Sequence, residues 1–234
     1  MVRRVRVISL VPSATETLLA WGVQPVAVTR FCEQGERFPT VGGTKDPNID
    51  AIVALGPDLV VVCDQENRLP DVEAMRAAGL SVHHIHITHL DHVAPQMSSL
   101  AEAVLVDPIR GTACAPRHAE ASPYRRRAYV PIWKRPWMTL NEQTYGTSLL
   151  ASLGIDTIAD GNANTYPEMS LEEAAALGPD LLIAPDEPYV FSERHRSELE
   201  RVAPTVFVDG KDLFWWGVRT PAAIERLATV LAIA

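Results

Sequence analysis

The 234-residue sequence predicts an α/β protein of two similar lobes, each with a mainly parallel sheet. Short β-rich runs alternate with helical runs along the chain, which is typical of a parallel sheet covered on both faces. The segment "NIDAIVALGPDLVVV" (Asn48–Val62) recurs as "SLEEAAALGPDLLIA" (Ser170–Ala184), with "ALGPDL" identical in both. This repeat predicts two lobes of the same build, and we expect a ligand to bind between them.

The first lobe, residues 1–88, is predicted to alternate strands with helices. Ser13 and Glu16 have the spacing of a capping box, which predicts a helix to Trp21. Asn48 is a candidate helix cap, and the Gly-Pro of the repeat ends that helix before a buried strand. The predicted strands are Val5–Leu10, Val26–Thr29, Leu59–Val62 and Ser81–Ile87, and the other helices are Asn48–Leu55 and Pro70–Ala78.

Residues 89–125 are predicted to form a linking helix and an irregular linker. Thr88 and Asp91 are spaced as a capping box, and the helix is expected to run to about Leu105. It is then expected to be broken by the turn-forming residues Pro108, Gly111, Pro116 and Pro123.

The second lobe, residues 126–234, repeats the alternation. The strands are predicted at Tyr129–Ile132, Leu181–Ala184 and Val206–Val208, and the helices at Tyr145–Leu153, Leu171–Leu177, Glu193–Val202 and Pro221–Ile233.

Composition excludes several classes of function. A net charge of −8 and a pI near 5.4 argue against nucleic-acid binding, and the short run Arg125–Arg127 does not reverse that. No apolar stretch reaches the roughly 18 residues of a membrane span. Glu16 interrupts the apolar run near the N-terminus, so we expect a strand and a helix there, not a signal peptide, and a cytoplasmic location if Met1 is the native start. Cys32, Cys63 and Cys114 are odd in number and widely spaced, which predicts free thiols.

The chain lacks the motifs of common enzymes. It has no Gly-rich phosphate loop, no HExxH and no Gly-x-Ser-x-Gly elbow, so we predict binding without turnover and no intrinsic cofactor. One alternative is a chelatase-like enzyme acting on a tetrapyrrole, with His84 or His86 and Glu66 as metal ligands and base. Another is a cytosolic metal-chelate carrier or sensor without a transporter.

The stretch "SVHHIHITHLDH" holds five of the seven histidines. In a strand, alternate side chains share a face, so His84 and His86 point one way and His83 the other. His89 and His92 belong to the next helix. The tract therefore does not predict one metal site, and only His86, at the end of its strand, is expected to approach a ligand.

Four of the five tryptophans, Trp133, Trp137, Trp215 and Trp216, lie in two predicted loops beside cationic residues. Such rings suit a large, flat, partly anionic ligand, and the alternative is packing within the lobe. Glu66 and Asn67 follow a buried strand and could hydrogen-bond a ligand, or begin a solvated helix. Glu187 occupies the equivalent place in the second lobe.

The segments "RVISLVPSATETLLAWG", "VGGTKDPNIDAIVALGPDLVVV" and the later "ALGPDL" resemble the cobalamin and iron-chelate substrate-binding proteins of ABC importers, the helical-backbone metal receptor type. The resemblance implies a class III periplasmic-binding-protein-like fold, two lobes joined by a linking helix. It implies capture of a corrinoid, ferric siderophore or haem in the interlobe cleft, a monomeric state and an extracytoplasmic location.

The resemblance also implies particular site residues. Thr44 and Cys63 stand where cobalamin-binding members have aromatic residues. Asp50 and Glu172, one in each copy of the repeat, would dock on a permease, although acids there also complement a helix dipole. Asp212 and the segment from Phe214 to Arg219 are expected in ligand-facing loops. The ligand-contact residues implied are Phe31, Lys45, Trp133, Trp137, Tyr166, Trp216 and Arg219.

Overall fold

The computed structural model describes residues 4–33, 37–115 and 125–232. The chain divides into two compact units, and each has its own four-stranded parallel sheet. Unit 1 comprises Met1–Ile87, Asp91–Ala115 and Trp216–Arg219, and unit 2 comprises Thr88–Leu90, Pro116–Trp215 and Thr220–Ala234. The predicted fold class is confirmed.

The sheet of unit 1 has the strand order β2-β1-β3-β4. Its core packs Ile8, Val60 and Val62 of the sheet against Ile52 and Met75 of the helices, all fully buried. The elements are β1 (Val7–Ser9), α1 (Pro12–Ala20), β2 (Ala27–Val28), α2 (Ile49–Leu55), β3 (Leu59–Cys63), α3 (Leu69–Ala77), β4 (Val82–Ile85), a 3₁₀ turn (Leu90–His92), α4 (Val93–Ala103) and α5 (Ile109–Thr112).

The sheet of unit 2 has the order β6-β5-β7-β8, the same topology as the first. Tyr129, Leu182 and Ala184 of its strands pack against Phe191 and Leu199. The elements are β5 (Arg126–Tyr129), α6 (Tyr145–Ser152), β6 (Ile155–Thr157), α7 (Leu171–Ala176), β7 (Leu181–Pro185), a 3₁₀ turn (Glu193–His195), α8 (Arg196–Leu199), β8 (Thr205–Val208), α9 (Gly210–Phe214) and α10 (Thr220–Ala232).

The sequence repeat is also a structural repeat. Asn48 caps α2 by accepting a hydrogen bond from the backbone of Ala51, and Ser170 forms a capping box with Glu173 at α7. Gly56 is the C-cap of α2, and Gly178 follows Leu177, the C-cap of α7. Both glycines lie in the left-handed region, with φ of 55° and 59°. Glycine is favoured there because it has no Cβ.

The aspartates of the repeat tie each helix–strand turn to the adjacent strand. Asp58 accepts a hydrogen bond from the backbone of Arg6 at 2.9 Å, and Asp180 does the same for Arg127 at 2.7 Å. The guanidinium groups of Arg6 and Arg127 donate to carbonyl groups at the carboxyl ends of α2 and α7. A cation at a helix carboxyl end opposes the partial negative charge there. The arginines are thus part of the repeat, although they lie outside its matching sequence.

The predicted capping box at Ser13 and Glu16 is wrong. Helix α1 begins at Pro12, with Val11 as N-cap and no side-chain cap. Proline favours the first helical position because its φ is already helical and it has no N–H to satisfy. Glu16 is consequently free to pair elsewhere, and it pairs with Arg219.

The linking helix is shorter than predicted. Helix α4 ends at Ala103, and the chain turns at Leu105, which has a φ of 58°, before entering α5. Helices α4 and α5 pack so closely that a Cβ on Gly111 would lie 2.2 Å from the backbone nitrogen of Ser98. Pro116 and Pro123 lie outside the described residues, so the boundaries of the linker stay a prediction. None of the described helices has the length and apolar character needed to cross a bilayer.

Candidate functional site

In each unit, the loops that follow the strands lie at one edge of a parallel sheet, where open α/β sheets bind ligands. In unit 1, this edge carries Phe31 and Lys45 after β2, Glu66 after β3 and His86 after β4. Phe31 is 54% exposed, so its ring is available to a ligand.

The side chains of this edge are braced by their neighbours. The Arg30 guanidinium lies 5.0 Å from the centre of the Phe31 ring and pairs with Asp46 at 2.9 Å. The Lys45 ammonium group donates to the backbone carbonyl of Gln65. The loops after β2 and β3 are therefore joined beside the candidate ligand-binding residues.

Asn67 is the buried centre of the same edge. It is 5% exposed, and its amide nitrogen donates to the carbonyl oxygens of Leu10 at 3.3 Å and Thr44 at 3.0 Å. Its amide oxygen accepts from the backbone nitrogen of Cys63 at 2.9 Å. The amide of Asn67 is thus committed to the backbone, and Glu66 is the more accessible of the two polar residues singled out after β3.

The histidine tract is arranged as the strand periodicity predicts. His84 and His86 both contact the Asp64 carboxylate, and the His86 ring lies 5.9 Å from that of His92. Burial, together with the neighbouring His84, lowers the pKa of His83 and favours its neutral form. In the part of the chain that the structure describes, no group of three or more His, Cys, Asp or Glu side chains is arranged to hold a metal ion.

Unit 2 presents an aromatic column, formed by Trp133, Tyr189, Phe191 and Trp137. Trp133 meets Tyr189 edge-on, with ring centres 5.7 Å apart. Tyr189 contacts Phe191 at 4.7 Å, and Phe191 stacks on Trp137 at 5.8 Å and 8°. Edge-to-face and offset-stacked pairs are the favourable geometries for aromatic rings.

The two ends of the column differ. Trp133 is 43% exposed. Trp137 instead has the Lys134 ammonium group 5.2 Å from its ring centre, and Lys134 pairs with Glu198. His195 packs edge-on against the column, and its burial is the main cause of a lowered pKa. Trp133 is therefore the exposed stacking surface, and Trp137 supports it from within.

Tyr166 and Glu187 also follow strands of unit 2, β6 and β7. Tyr166 is 37% exposed, and Glu187 is half-buried. A Cβ on Gly210 would lie 2.7 Å from the backbone nitrogen of Glu187, so glycine is required at the start of α9. The backbone of Gly210 donates to Asp186 at 2.7 Å, which fixes the loop that carries Glu187.

Trp216 and Arg219 lie elsewhere than the sequence suggests. The segment that they delimit groups with unit 1, and Trp216 is only 5% exposed. The Arg219 guanidinium donates to both carboxylate oxygens of Glu16, at 3.1 and 2.7 Å. Arg219 is thus paired within unit 1, and Trp216 is buried.

Asp212 is 3% exposed and accepts two hydrogen bonds of 2.6 Å from Arg226 of α10. The expectation that Asp212 lies in an open ligand-facing loop is wrong. A buried carboxylate requires such a partner because its desolvation is otherwise costly.

Asp50 and Glu172 occupy equivalent positions in the first turns of α2 and α7. Both are exposed, and neither has a hydrogen-bond or ion-pair partner among the described residues. Because a helix between parallel strands runs antiparallel to them, both carboxylates lie towards the edge of the sheet that carries the candidate ligand-binding loops. At α7, capping is performed by the adjacent Glu173 instead.

Among known proteins, the chain is similar in sequence to vitamin B12-binding proteins. No family model matches the chain. The vitamin B12-binding protein of Salmonella choleraesuis (strain SC-B67) is 24% identical over 190 residues, 76% of this chain and 71% of that protein. The vitamin B12-binding protein of Yersinia pestis (strain Pestoides F) is 24% identical over 191 residues, 76% and 68% of the two chains.

Solved structures cover almost the whole chain. The periplasmic vitamin B12-binding protein of Vibrio cholerae has a TM-score of 0.78 and 20% identity, covering 98% of this chain and 97% of that one. A periplasmic haem-binding protein from Pseudomonas aeruginosa has a TM-score of 0.80 and 20% identity, covering 97% and 92%.

These relatives define the class of protein. The chain has the class III periplasmic-binding-protein fold, two parallel-sheet α/β lobes. Within that class, the similar proteins named above include vitamin B12-binding proteins, in agreement with the cobalamin and iron-chelate binding-protein family that the sequence motifs resemble. The relatives named here are binding proteins, not enzymes.

Proposed function

We propose that the protein is a substrate-binding protein that captures a metal chelate, a corrinoid, haem or ferric siderophore, for an ABC importer. The relatives that bind vitamin B12 or haem support this function. The single observation that carries it is an exposed aromatic ring held by its neighbours at the ligand-binding edge of each unit, Phe31 in one and Trp133 in the other.

The proposed contacts follow from exposure and chemistry. Phe31, Trp133 and Tyr166 offer rings on which a flat chelate stacks. Lys45 offers a cation for carboxylate or phosphate groups of the chelate. The remaining contacts are hydrogen bonds that donor groups of the chelate make to the carboxylates of Glu66 and Glu187.

Three residues of the sequence-based ligand set are assigned a different role in this proposal. Trp137, Trp216 and Arg219 act as the framework of the site, because their side chains pack against or pair with other residues of their own unit. A flat ligand would have to break these contacts to reach them.

A titration of tryptophan fluorescence with cobalamin, haemin and a ferric siderophore tests the function. We expect one of these compounds to quench the fluorescence saturably, and Trp133→Ala to weaken its binding by at least about tenfold, or 1.4 kcal/mol. Trp21→Phe is the control, because Trp21 is buried in unit 1 at the end of α1. Absence of saturable binding to all three compounds would contradict the proposed function.

We further propose that the monomer docks on a permease through Asp50 and Glu172. Three observations support this role: both acids are exposed, they occupy equivalent positions, and neither has a hydrogen-bond or ion-pair partner among the residues that the structure describes. Two acids in equivalent helix turns offer paired sites for cationic side chains of a membrane partner.

Charge reversal separates docking from capture. Asp50→Lys together with Glu172→Lys should leave the affinity for the chelate unchanged and abolish stimulation of the importer's ATPase in proteoliposomes. Glu73→Lys, at an exposed acid of α3, is the matched control. Undiminished ATPase stimulation by the double variant would refute the docking role. If the wild-type protein binds a chelate but stimulates no importer, it would be a carrier or sensor.

A further inference from the structure

Asn67 joins three separate segments of unit 1. Its side chain makes one hydrogen bond each with Leu10 after β1, Thr44 in the loop after β2 and Cys63 at the end of β3. The two amide hydrogens and the amide oxygen all have partners, and every partner is a backbone group. The side chain is buried, at the edge of the sheet where β3 ends.

The segments that Asn67 joins carry candidate ligand residues. Thr44 directly precedes Lys45, and Glu66 directly precedes Asn67 itself. The loop around Thr44 is in turn linked to Phe31, because the backbone of Arg30 donates to the carbonyl oxygen of Gly42 at 3.0 Å. A displacement of the Thr44 loop would therefore move Lys45, which lies in that loop, and Phe31, whose neighbour Arg30 is hydrogen-bonded to it.

We propose that Asn67 is a positioning residue, which holds Phe31, Lys45 and Glu66 in the geometry that binds the chelate. This inference rests on the proposed function. Asn67 acts through backbone groups and does not touch the ligand. A binding site gains affinity when its contact residues are held in place before the ligand arrives, because less ordering is needed on binding.

Aspartate at this position isolates the proposed action. Asn67→Asp keeps the shape of the side chain and its acceptor for the backbone of Cys63, but it loses both N–H donors. The carbonyl oxygens of Leu10 and Thr44 would then face a carboxylate, so the Thr44 loop is expected to move away. Asn67→Ala removes the acceptor as well and should act in the same direction.

Affinity is the first readout. At a temperature where each variant is fully folded, we expect Asn67→Asp to weaken binding of the chelate found in the fluorescence titration by at least about tenfold. Val72→Ala is the control, because it destabilises unit 1 from its core and should leave the affinity within about twofold. Equal affinities of wild type and Asn67→Asp would overturn the proposal, as would an equal loss of affinity in Val72→Ala.

Amide hydrogen exchange is a second readout that needs no ligand. Asn67→Asp should speed exchange over residues 42–46 and leave residues 162–166 unchanged. Asn141→Asp is the matched control in unit 2, because the buried Asn141 amide donates to the carbonyl oxygens of Asn162 and Asn164. It should give the reverse pattern.

The two readouts separate the two hypotheses. If wild type binds none of the three chelates, the proposed function fails, and the exchange pattern still decides whether Asn67 holds the loops. If wild type binds a chelate but Asn67→Asp leaves exchange over residues 42–46 unchanged, the positioning role fails on its own.

Discussion

Replacing Arg219 distinguishes a ligand-binding arginine from a structural one. The sequence predicts that Arg219 contacts the chelate, whereas the structure pairs it with both carboxylate oxygens of Glu16 in α1. We consider Arg219→Met, Glu16→Gln and the double variant. Methionine keeps much of the apolar stem of arginine, so the change mainly removes the charge and its hydrogen bonds.

The magnitude follows from the burial of the pair. Exposed ion pairs contribute about 0.2–1 kcal/mol, and breaking a fully buried pair costs about 3–5 kcal/mol. The side chains of Arg219 and Glu16 are 16% and 31% exposed, so solvent screens the pair only partly. With two hydrogen bonds between them, we expect a coupling free energy of about 1–2 kcal/mol.

A double-mutant cycle measured by calorimetry gives this coupling. Each single variant should lower the melting temperature by about 2–8 °C, and the double variant should lower it by less than the sum. Chelate affinity is measured in parallel and should stay within about twofold of wild type for Arg219→Met. A coupling below about 0.5 kcal/mol with a tenfold loss of affinity would refute the structural role and restore the sequence-based one.

Three further predictions concern backbone, thiols and pH. Gly217 has a φ of 106°, and a Cβ there would lie 2.1 Å from a threonine hydroxyl of α1, so Gly217→Ala should destabilise the protein by more than about 3 kcal/mol in urea unfolding. Gly161→Ala, at a φ of 81° with open space around it, should cost only about 1 kcal/mol, and equal losses would contradict the steric argument. Burial raises the pKa of Cys63 to about 12 and that of Cys114 to about 11. Neither thiol should therefore react with a disulfide reagent at pH 8 until the protein unfolds. Rapid labelling of the native protein would disprove this. Burial lowers the pKa of His195, so the unfolded chain binds the proton more readily and stability should fall as the pH drops below about 6.5. His195→Gln should flatten that dependence in melts from pH 7.5 to 5, and an unchanged slope would contradict this assignment.

Much of the fold was accessible from the sequence because its signals are local. The repeat predicted two similar lobes, and both capped helices with their left-handed glycines lie where it placed them. Alternation of short apolar runs and helices predicted the parallel sheets, because it reflects burial on both faces. The three cysteines, predicted to be free thiols, are free and buried.

The errors arose where two signals competed at one position. Ser13 and Glu16 have the spacing of a capping box, but Pro12 at the first helical position set the start of α1. The tryptophan-rich loops predicted several stacking rings, and which of those rings contact a ligand stays a prediction, because residue type does not encode burial. Only the structure separates exposed Trp133 from Trp137, which packs on Phe191.

The sequence by itself determined the two-lobed α/β class, the repeated helix turns that carry Asp50 and Glu172, and the loops that carry the candidate ligand residues. Only the tertiary structure decided which side chains in those loops are accessible. Asn67 is hydrogen-bonded to three backbone groups, of which Leu10 lies 57 positions away in the chain. Arg219 pairs with Glu16, which lies 203 positions away. Pattern and spacing report neighbours within a few residues, whereas pairing and burial depend on segments that only folding brings together.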